Sequence, residues 1–370
     1  MFLGIKRKKN SPRRVLVSAQ ANIASTTGGS ITVFFHFCSL LADLGYEVCG
    51  ACHSEVPSRP VLLDGRVRFV NFRYCYEGVS AYDKAFNRLV GDFNPDLIVF
   101  FFPHYCLEAR LKRRFRDIPR IIMFHSRPDY LFAQLPDFEE RLRPYYVNTR
   151  AQVLLESYRD LLPDYIRGGE VYVIGNGIRQ FPEERDYAAE HKRMVYFSRI
   201  DSLKGVDLLL EAMAMVKEKH PDWAVDVYGD VEPEEYGEEL KGTIASKGLE
   251  GQVRLMGKSS RSTEETLQDY DFCVFPSRVE GFSIGLGETM SAGLATVGFR
   301  FCSGVSEMIV DGESGILCDD TEGFAEAICR LIENTAERER MGRNAHSSML
   351  QYAPELIDSQ WTALIQSMLK

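Results

Sequence analysis

Short apolar runs alternate with longer segments of helical periodicity along most of the chain, the pattern of an α/β protein. Arg13–Ser18 predicts a first strand, and the apolar spacing from Ile31 to about Leu44 predicts a helix ended by Gly45. Further strands are expected around Cys49–Cys52, at Val67–Phe72, Leu97–Phe102 and Ile121–Phe124, and as a short strand at Val147–Thr149. The segment from Glu183 to Arg193 is mostly polar and charged and has the character of a linker. Beyond it the alternation resumes with strand Met194–Phe197, helix Val206–Lys217, strand Ala224–Tyr228, helix Glu234–Lys247 and strand Gln252–Leu255. A strand at Phe272–Phe275 is stopped by Pro276, and a helix follows whose first turn is Ser283 to Leu286. Strands Thr296–Phe299 and Ile316–Cys318 lead to three helical segments, Thr321–Glu333, Ala336–Gln351 and Pro354–Leu369.

Strands separated by helices predict doubly wound sheets, and 370 residues exceed one ordinary core. Two domains are therefore expected, residues 1–178 and 179–352, with 353–370 returning to the first. Hydrophobic content of 45% and charged content of 26% describe an ordinary globular protein. No apolar run approaches the roughly 18–20 residues that span a bilayer. The basic N-terminus, Met1 to Lys9, lacks the long apolar stretch of a secretory signal, so a cytoplasmic protein is expected. Nine cysteines, an odd number, fit a reducing compartment. Cys49-Gly50-Ala51-Cys52-His53 matches the redox and haem-attachment spacings, but it falls where the second strand belongs, and its cysteines are expected as small core residues. The net charge of −9 argues against nucleic acid as a partner. Residues 1–178 nevertheless carry 24 Lys and Arg against 18 Asp and Glu. Basic clusters at Lys6–Arg14 and Arg110–Arg116 suit an anionic membrane surface.

The candidate chemistry concentrates in Phe275–Gly293, F-P-S-R-V-E-G-F-S-I-G-L-G-E-T-M-S-A-G. Glu280 and Gly281 sit in the turn after a buried strand, and Glu288 lies one to two turns into the next helix. A helix N-terminus offers free N–H groups and a positive dipole end, and Gly281 lets a ligand approach the backbone. Two carboxylates and several N–H groups together suit a polyhydroxylated ligand. Ser198-Arg199-Ile200-Asp201-Ser202-Leu203-Lys204-Gly205, after the strand at 194–197, places a guanidinium and an ammonium where they can neutralise a diphosphate. Gly28-Gly29 fills a strand–helix turn of the kind that approaches phosphates, and His125 ends a strand whose C-terminus should border a crevice. Asp269-Tyr270-Asp271 has a metal-binding spacing but ends a helix before a buried strand, and is expected to be a helix end and turn.

P-S-x-x-E-G-F with eight residues from Glu280 to Glu288, followed by M-S-A-G-L, resembles the E-x7-E signature of the retaining glycosyltransferases of family four. Supporting runs are Val171–Ile178, which resembles the family's junction segment, Arg199 to Gly205, and Ser303-Gly304-Val305-Ser306-Glu307 with Asp311–Gly315. Ser198 and Gly175 depart from the usual glycine and proline, as do Ala295 and Thr289 from proline and alanine. The resemblance covers nearly the whole chain, strongly from Phe197 to Cys318 and loosely before His125. It implies the GT-B fold, two Rossmann-like doubly wound domains facing across a cleft, with the nucleotide sugar on the second and the acceptor mainly on the first. It implies that Arg199 and Lys204 stabilise the leaving diphosphate without a metal ion or cofactor. Glu280, with the N–H groups of Gly281, Phe282 and Ser283, would hold sugar hydroxyls, and Glu288 the ribose. Met256 and Gly257 would meet the base, His125 the donor sugar, Gly28 and Gly29 the diphosphate, and Asn176 the donor. The function implied is retaining transfer from a UDP-sugar to a glycan or lipid-linked glycan, at the cytoplasmic membrane face. A sugar-nucleotide epimerase of the same fold lacks its expected acid and base groups here. A non-catalytic subunit that binds nucleotide sugars is the reading from a different class, against which the intact Arg199, Lys204, Glu280 and Glu288 stand.

Overall fold

The computed structural model describes residues 11–19, 29–52, 64–71, 79–103, 111, 115–134, 137–146, 148–182 and 185–370. The chain forms two compact units, Met1–Ile174 with Asp358–Lys370, and Gly175–Ile357. The first crossing lies at 174/175 rather than at the expected 178/179, and packing explains why. A Cβ on Gly175 would stand 2.9 Å from the Phe282 ring and 3.3 Å from that of Tyr352. The Ile178 N–H donates to the Tyr352 carbonyl at 2.8 Å. Residues 175–178 therefore belong to the second unit.

The first unit is built on strands β1 (Arg14–Ala19), β2 (Glu47–Cys52), β3 (Arg68–Asn71), β4 (Leu97–Phe100), β5 (Arg120–Phe124), β6 (Thr149–Val153) and β7 (Val171–Val173). They form one parallel sheet in the order β3-β2-β1-β4-β5-β6-β7. Helices α1 (Gly29–Asp43) and α2 (Val79–Phe93) supply crossovers. The strands are apolar because a parallel sheet is buried on both faces, and β4 and β5 are buried at every position. β6 departs from expectation. It begins at Thr149 and runs to Val153, paired along its whole length with β5, and Val147 lies outside the described residues. Arg150 and Gln152 disguised this strand; Gln152 is tolerated in the interior because its Nε2 donates to the Ile174 carbonyl at 2.6 Å. Cys49 and Cys52 are buried in β2, where desolvation pushes both thiols up to about 12. They are core residues, and Gly50 between them admits the ring of Phe69, which a Cβ would meet at 2.7 Å.

The second unit repeats the plan. Strands β8 (Arg193–Phe197), β9 (Ala224–Tyr228), β10 (Val253–Gly257), β11 (Phe272–Phe275), β12 (Thr296–Phe299) and β13 (Gly315–Cys318) form a parallel sheet ordered β10-β9-β8-β11-β12-β13. Its longer helices are α3 (Val206–Lys219), α4 (Glu234–Ser246), α5 (Ile284–Ser291), α6 (Thr321–Glu333) and α7 (Thr335–Met349). Leu209, Met213, Val225, Val227, Phe272, Phe324 and Ile328 lie in one buried cluster. Helix α8 (Pro354–Met368) starts in this unit and continues in the first. There Trp361 packs edge-on to Phe37 at 4.9 Å and Asp358 meets His36 Nε2 at 2.8 Å.

Asp269, Tyr270 and Asp271 are a turn tied down by structural contacts. Asp271 accepts the N–H groups of His191 and Arg193 at 3.2 and 3.0 Å, and Asp269 pairs with Arg261. The Tyr270 hydroxyl donates to Asp226 at 2.6 Å. Among the described residues no group of three or more His, Cys, Asp or Glu is placed to hold a metal ion, and no helix is long and apolar enough to cross a membrane.

Candidate functional site

In each sheet the strand order reverses between the first and fourth strands, and ligands bind at the carboxyl ends of strands beside such a reversal. In the second unit this point lies between β8 and β11, which pair directly. The loops that leave these two strands carry Arg199 and Lys204, and Glu280. They are packed so closely that only glycine serves at two contacts. Gly205 has φ +68°, and a Cβ there would stand 2.1 Å from the Pro276 carbonyl oxygen. A Cβ on Gly285, in the first turn of α5, would stand 2.4 Å from the Phe197 carbonyl oxygen.

This packing joins two residues for which the sequence suggested separate tasks. Lys204 Nζ donates to Glu280 Oε1 at 2.6 Å, and their side chains are only 11% and 8% exposed. Lys204 Nζ also lies 3.5 Å from the Val279 carbonyl oxygen, and Ser277 Oγ donates to Glu280 Oε1 at 3.3 Å. Gly304 closes the other side, since a Cβ there would stand 2.5 Å from both the Cβ and the carbonyl oxygen of Glu280. The sequence reading assigned no role to Ser277 or Gly304; the signal for the first was its place three residues before the carboxylate. A mostly buried ion pair is costly to desolvate, and one at the mouth of a sheet can exchange partners with a charged ligand.

Arg199 is not part of this pair. It is 48% exposed, with Nε 3.0 Å from Asp201 and Nη1 3.9 Å from Glu232. Ser283 is the N-cap of α5, its hydroxyl accepting the Leu286 N–H at 3.2 Å. Phe282, expected beside Gly281 among the donor contacts, has its ring committed to packing. It is 6% exposed and meets Tyr352 edge-on at 5.0 Å, because an aromatic ring here covers the junction at Gly175. Asn176 is buried beside it. Glu288, on α5, is partly buried, and no hydrogen-bond donor among the described residues reaches its carboxylate. Burial raises its pKa above the usual carboxylate range, with the Arg179 guanidinium opposing. Met256, in β10, exposes 41% of its surface; Gly257 next to it has φ +64° and accepts the Gly229 N–H at 2.9 Å.

In the first unit, Gly29 opens α1 and Gly28 lies outside the described residues. His125 follows β5, stacked on Phe101 at 4.2 Å and flanked by Phe102 at 5.2 Å. The residue as a whole is partly buried, and its Nε2 is buried with no partner among the described residues. Burial lowers the imidazole pKa from 6.5 to about 3. The neutral ring therefore contributes stability that is fully present above 6.5 and is lost as pH falls from there towards 3. In an NMR titration the His125 ring signals should stay those of the neutral form down to about pH 4, well below the range in which an ordinary histidine titrates. A midpoint near the ordinary value would contradict this picture.

Comparison with known proteins gives the family. The description "Glycosyl transferases group 1" matches residues 178–348, and "Glycosyltransferase Family 4" matches residues 27–162. Exopolysaccharide phosphotransferase SCO2592 of Streptomyces coelicolor is 32% identical over 176 residues, 47% of this chain, which spans only 18% of that protein. D-inositol 3-phosphate glycosyltransferase of Corynebacterium kroppenstedtii is 27% identical, with 88% of this chain and 82% of that protein covered. Among solved structures, Anabaena Alr3699/HepE in complex with UDP-glucose shares the fold with a TM-score of 0.74 at 17% identity, over 96% of this chain and 99% of that one. With both family descriptions falling in order on two parallel-sheet units, the chain belongs to glycosyltransferase family four and has the pair of Rossmann-like domains of the GT-B fold.

Proposed function

We propose that the chain transfers a sugar, with retention, from a UDP-sugar to a glycan or lipid-linked glycan. The observation that carries this reading is the Lys204–Glu280 ion pair beside the β8–β11 reversal. When the donor's diphosphate departs, negative charge grows on its oxygens, and a positioned cation at that point is the most effective catalytic group. Lys204 can turn from Glu280 to a phosphate oxygen, which frees the Glu280 carboxylate to accept sugar hydroxyls. Arg199, half exposed on the same loop, supplies a second cation, so the neutralisation needs no metal ion. The N–H groups at the start of α5 face developing negative charge with the favourable end of the helix dipole. Glu288, desolvated and without a donor among the described residues, suits ribose hydroxyls, whose hydrogen bonds favour the ionised carboxylate.

The nucleotide follows the relative whose structure holds UDP-glucose, and the glycan acceptor follows the exopolysaccharide named in another relative. The lipid-linked form rests on the basic segments Lys6–Arg14 and Arg110–Arg116, most of which lie outside the described residues. Sedimentation with anionic vesicles at low salt, reversed by high salt, is expected; equal and negligible binding to anionic and neutral vesicles favours a soluble acceptor.

The division of labour between the carboxylates tests the donor site. Glu288→Ala should weaken UDP and UDP-sugar alike, by about tenfold to a hundredfold in titration calorimetry. Glu280→Gln should leave UDP affinity within about threefold while transfer falls far more. If Glu280→Gln weakens bare UDP as much as Glu288→Ala does, the assignment is wrong.

A further inference from the structure

The loops that carry Lys204 and Glu280 are joined by a side chain that belongs to neither charge. Arg278, two residues before Glu280, holds Asp207 with both ends of its guanidinium, Nη1 to Oδ1 and Nη2 to Oδ2, each at 2.7 Å. The same Nη1 donates to the Ser202 carbonyl at 3.0 Å. Its backbone N–H, and that of Val279, donate to the Leu203 carbonyl at 2.8 and 3.3 Å. Every one of these contacts falls on the Lys204 loop or on the first turn of α3 immediately after it. Asp207 is held in turn by the Tyr236 hydroxyl at 3.1 Å. Half-burial disfavours its ionised form, yet Arg278 keeps its pKa below the usual carboxylate range.

The geometry points to Arg278 as a positioning residue, one that sets Lys204 against Glu280 by clamping the two loops through Asp207 and Ser202. The inference rests on the transfer reading above. An ion pair with side chains 35% and 45% exposed adds little to stability by itself. Its worth lies in direction. A guanidinium fixes two planes at once, which the single ammonium of a lysine does not. A catalytic cation displaced by about 1 Å can lose a hundredfold in rate. Lys204 itself has a flexible stem, so its ammonium is placed by where the loop's backbone stands, and Arg278 and the two Leu203 bonds decide that.

The test compares Arg278→Ala, Arg278→Lys and Asp207→Asn with Lys204→Ala. For Arg278→Ala the expected outcome is a fall in kcat of about tenfold to a hundredfold with UDP affinity within about threefold. Arg278→Lys should recover part of that loss, and Asp207→Asn should reproduce it. A second measurement, amide hydrogen exchange, should show faster exchange at both 202–206 and 278–281 in Arg278→Ala and no change at β12. If Lys204→Ala loses turnover while Arg278→Ala keeps the wild-type kcat, the positioning role falls and the transfer reading stands. If Lys204→Ala keeps wild-type turnover, the catalytic role of Lys204 fails, and with it the need to position it; if the wild-type chain turns over no sugar nucleotide, the transfer reading fails. Should the wild-type chain turn over no sugar nucleotide, exchange decides alone, and unaltered protection of both loops in Arg278→Ala overturns the clamp.

Discussion

Lys204→Ala is expected to lower sugar transfer by about a hundredfold to a thousandfold, the scale on which removal of one preorganised charge-stabilising group acts. The same substitution should cost stability, because it takes the ammonium away from a Glu280 carboxylate that is only 8% exposed. Breaking a buried pair from one side typically costs about 3–5 kcal/mol. The two losses can be separated. Combining Lys204→Ala with Glu280→Ala also removes the buried carboxylate that has lost its ammonium, so the double variant should be more stable than Lys204→Ala alone while transfer stays lost. Urea unfolding of the three variants beside donor turnover checks both halves. Strict additivity of the two stability losses would show that the pair is not coupled, contrary to the 2.6 Å contact.

The second large effect concerns the scaffold under the site. Asp226 is fully buried in β9, and its carboxylate gathers Arg193 from β8, Arg254 from β10 at 2.7 Å and the Tyr270 hydroxyl at 2.6 Å. With that proton directed at Asp226, the Tyr270 oxygen accepts from the Tyr228 hydroxyl at 3.0 Å. One carboxylate thus ties three strands and the turn before β11 together. Asp226→Asn keeps the shape but removes the charge that both guanidiniums face. With Arg193 31% and Arg254 44% exposed, water offsets part of the loss, and about 2–4 kcal/mol is expected. Thermal unfolding should show the second unit's transition moving down while the first unit's stays. A change below about 0.5 kcal/mol, ordinary for a surface substitution, would mean that the network is not structural.

Much of this was legible from residues alone. The strands at 224–228, 272–275 and 296–299 fall where apolar runs are bounded by turn residues, and helix 321–333 falls on its periodicity. Cys49 and Cys52 are core residues, as their place on a strand requires. The reading went astray where polar residues enter a buried strand, as Gln152 does in β6, since its partner is a carbonyl 22 residues away. At Phe282 the expected contact is through the backbone N–H, and only the fold shows that its ring packs edge-on to Tyr352.

Spacing along the chain determined the α/β architecture, the strand order in sequence, and which loops carry charge, because these depend on local periodicity and turn chemistry. It could not determine which charges meet. Lys204 and Glu280 are 76 residues apart, Arg278 and Asp207 are 71 apart, and Asp226 reaches its arginines across neighbouring strands. Those meetings exist because β8 pairs with β11 and not with its sequence successor alone, which brings the two loops to one end of the sheet. Glycines at 205, 285 and 304 then let the backbones approach within distances that any side chain would prevent. The buried charge pair is a product of that approach, and only the folded sheet creates it.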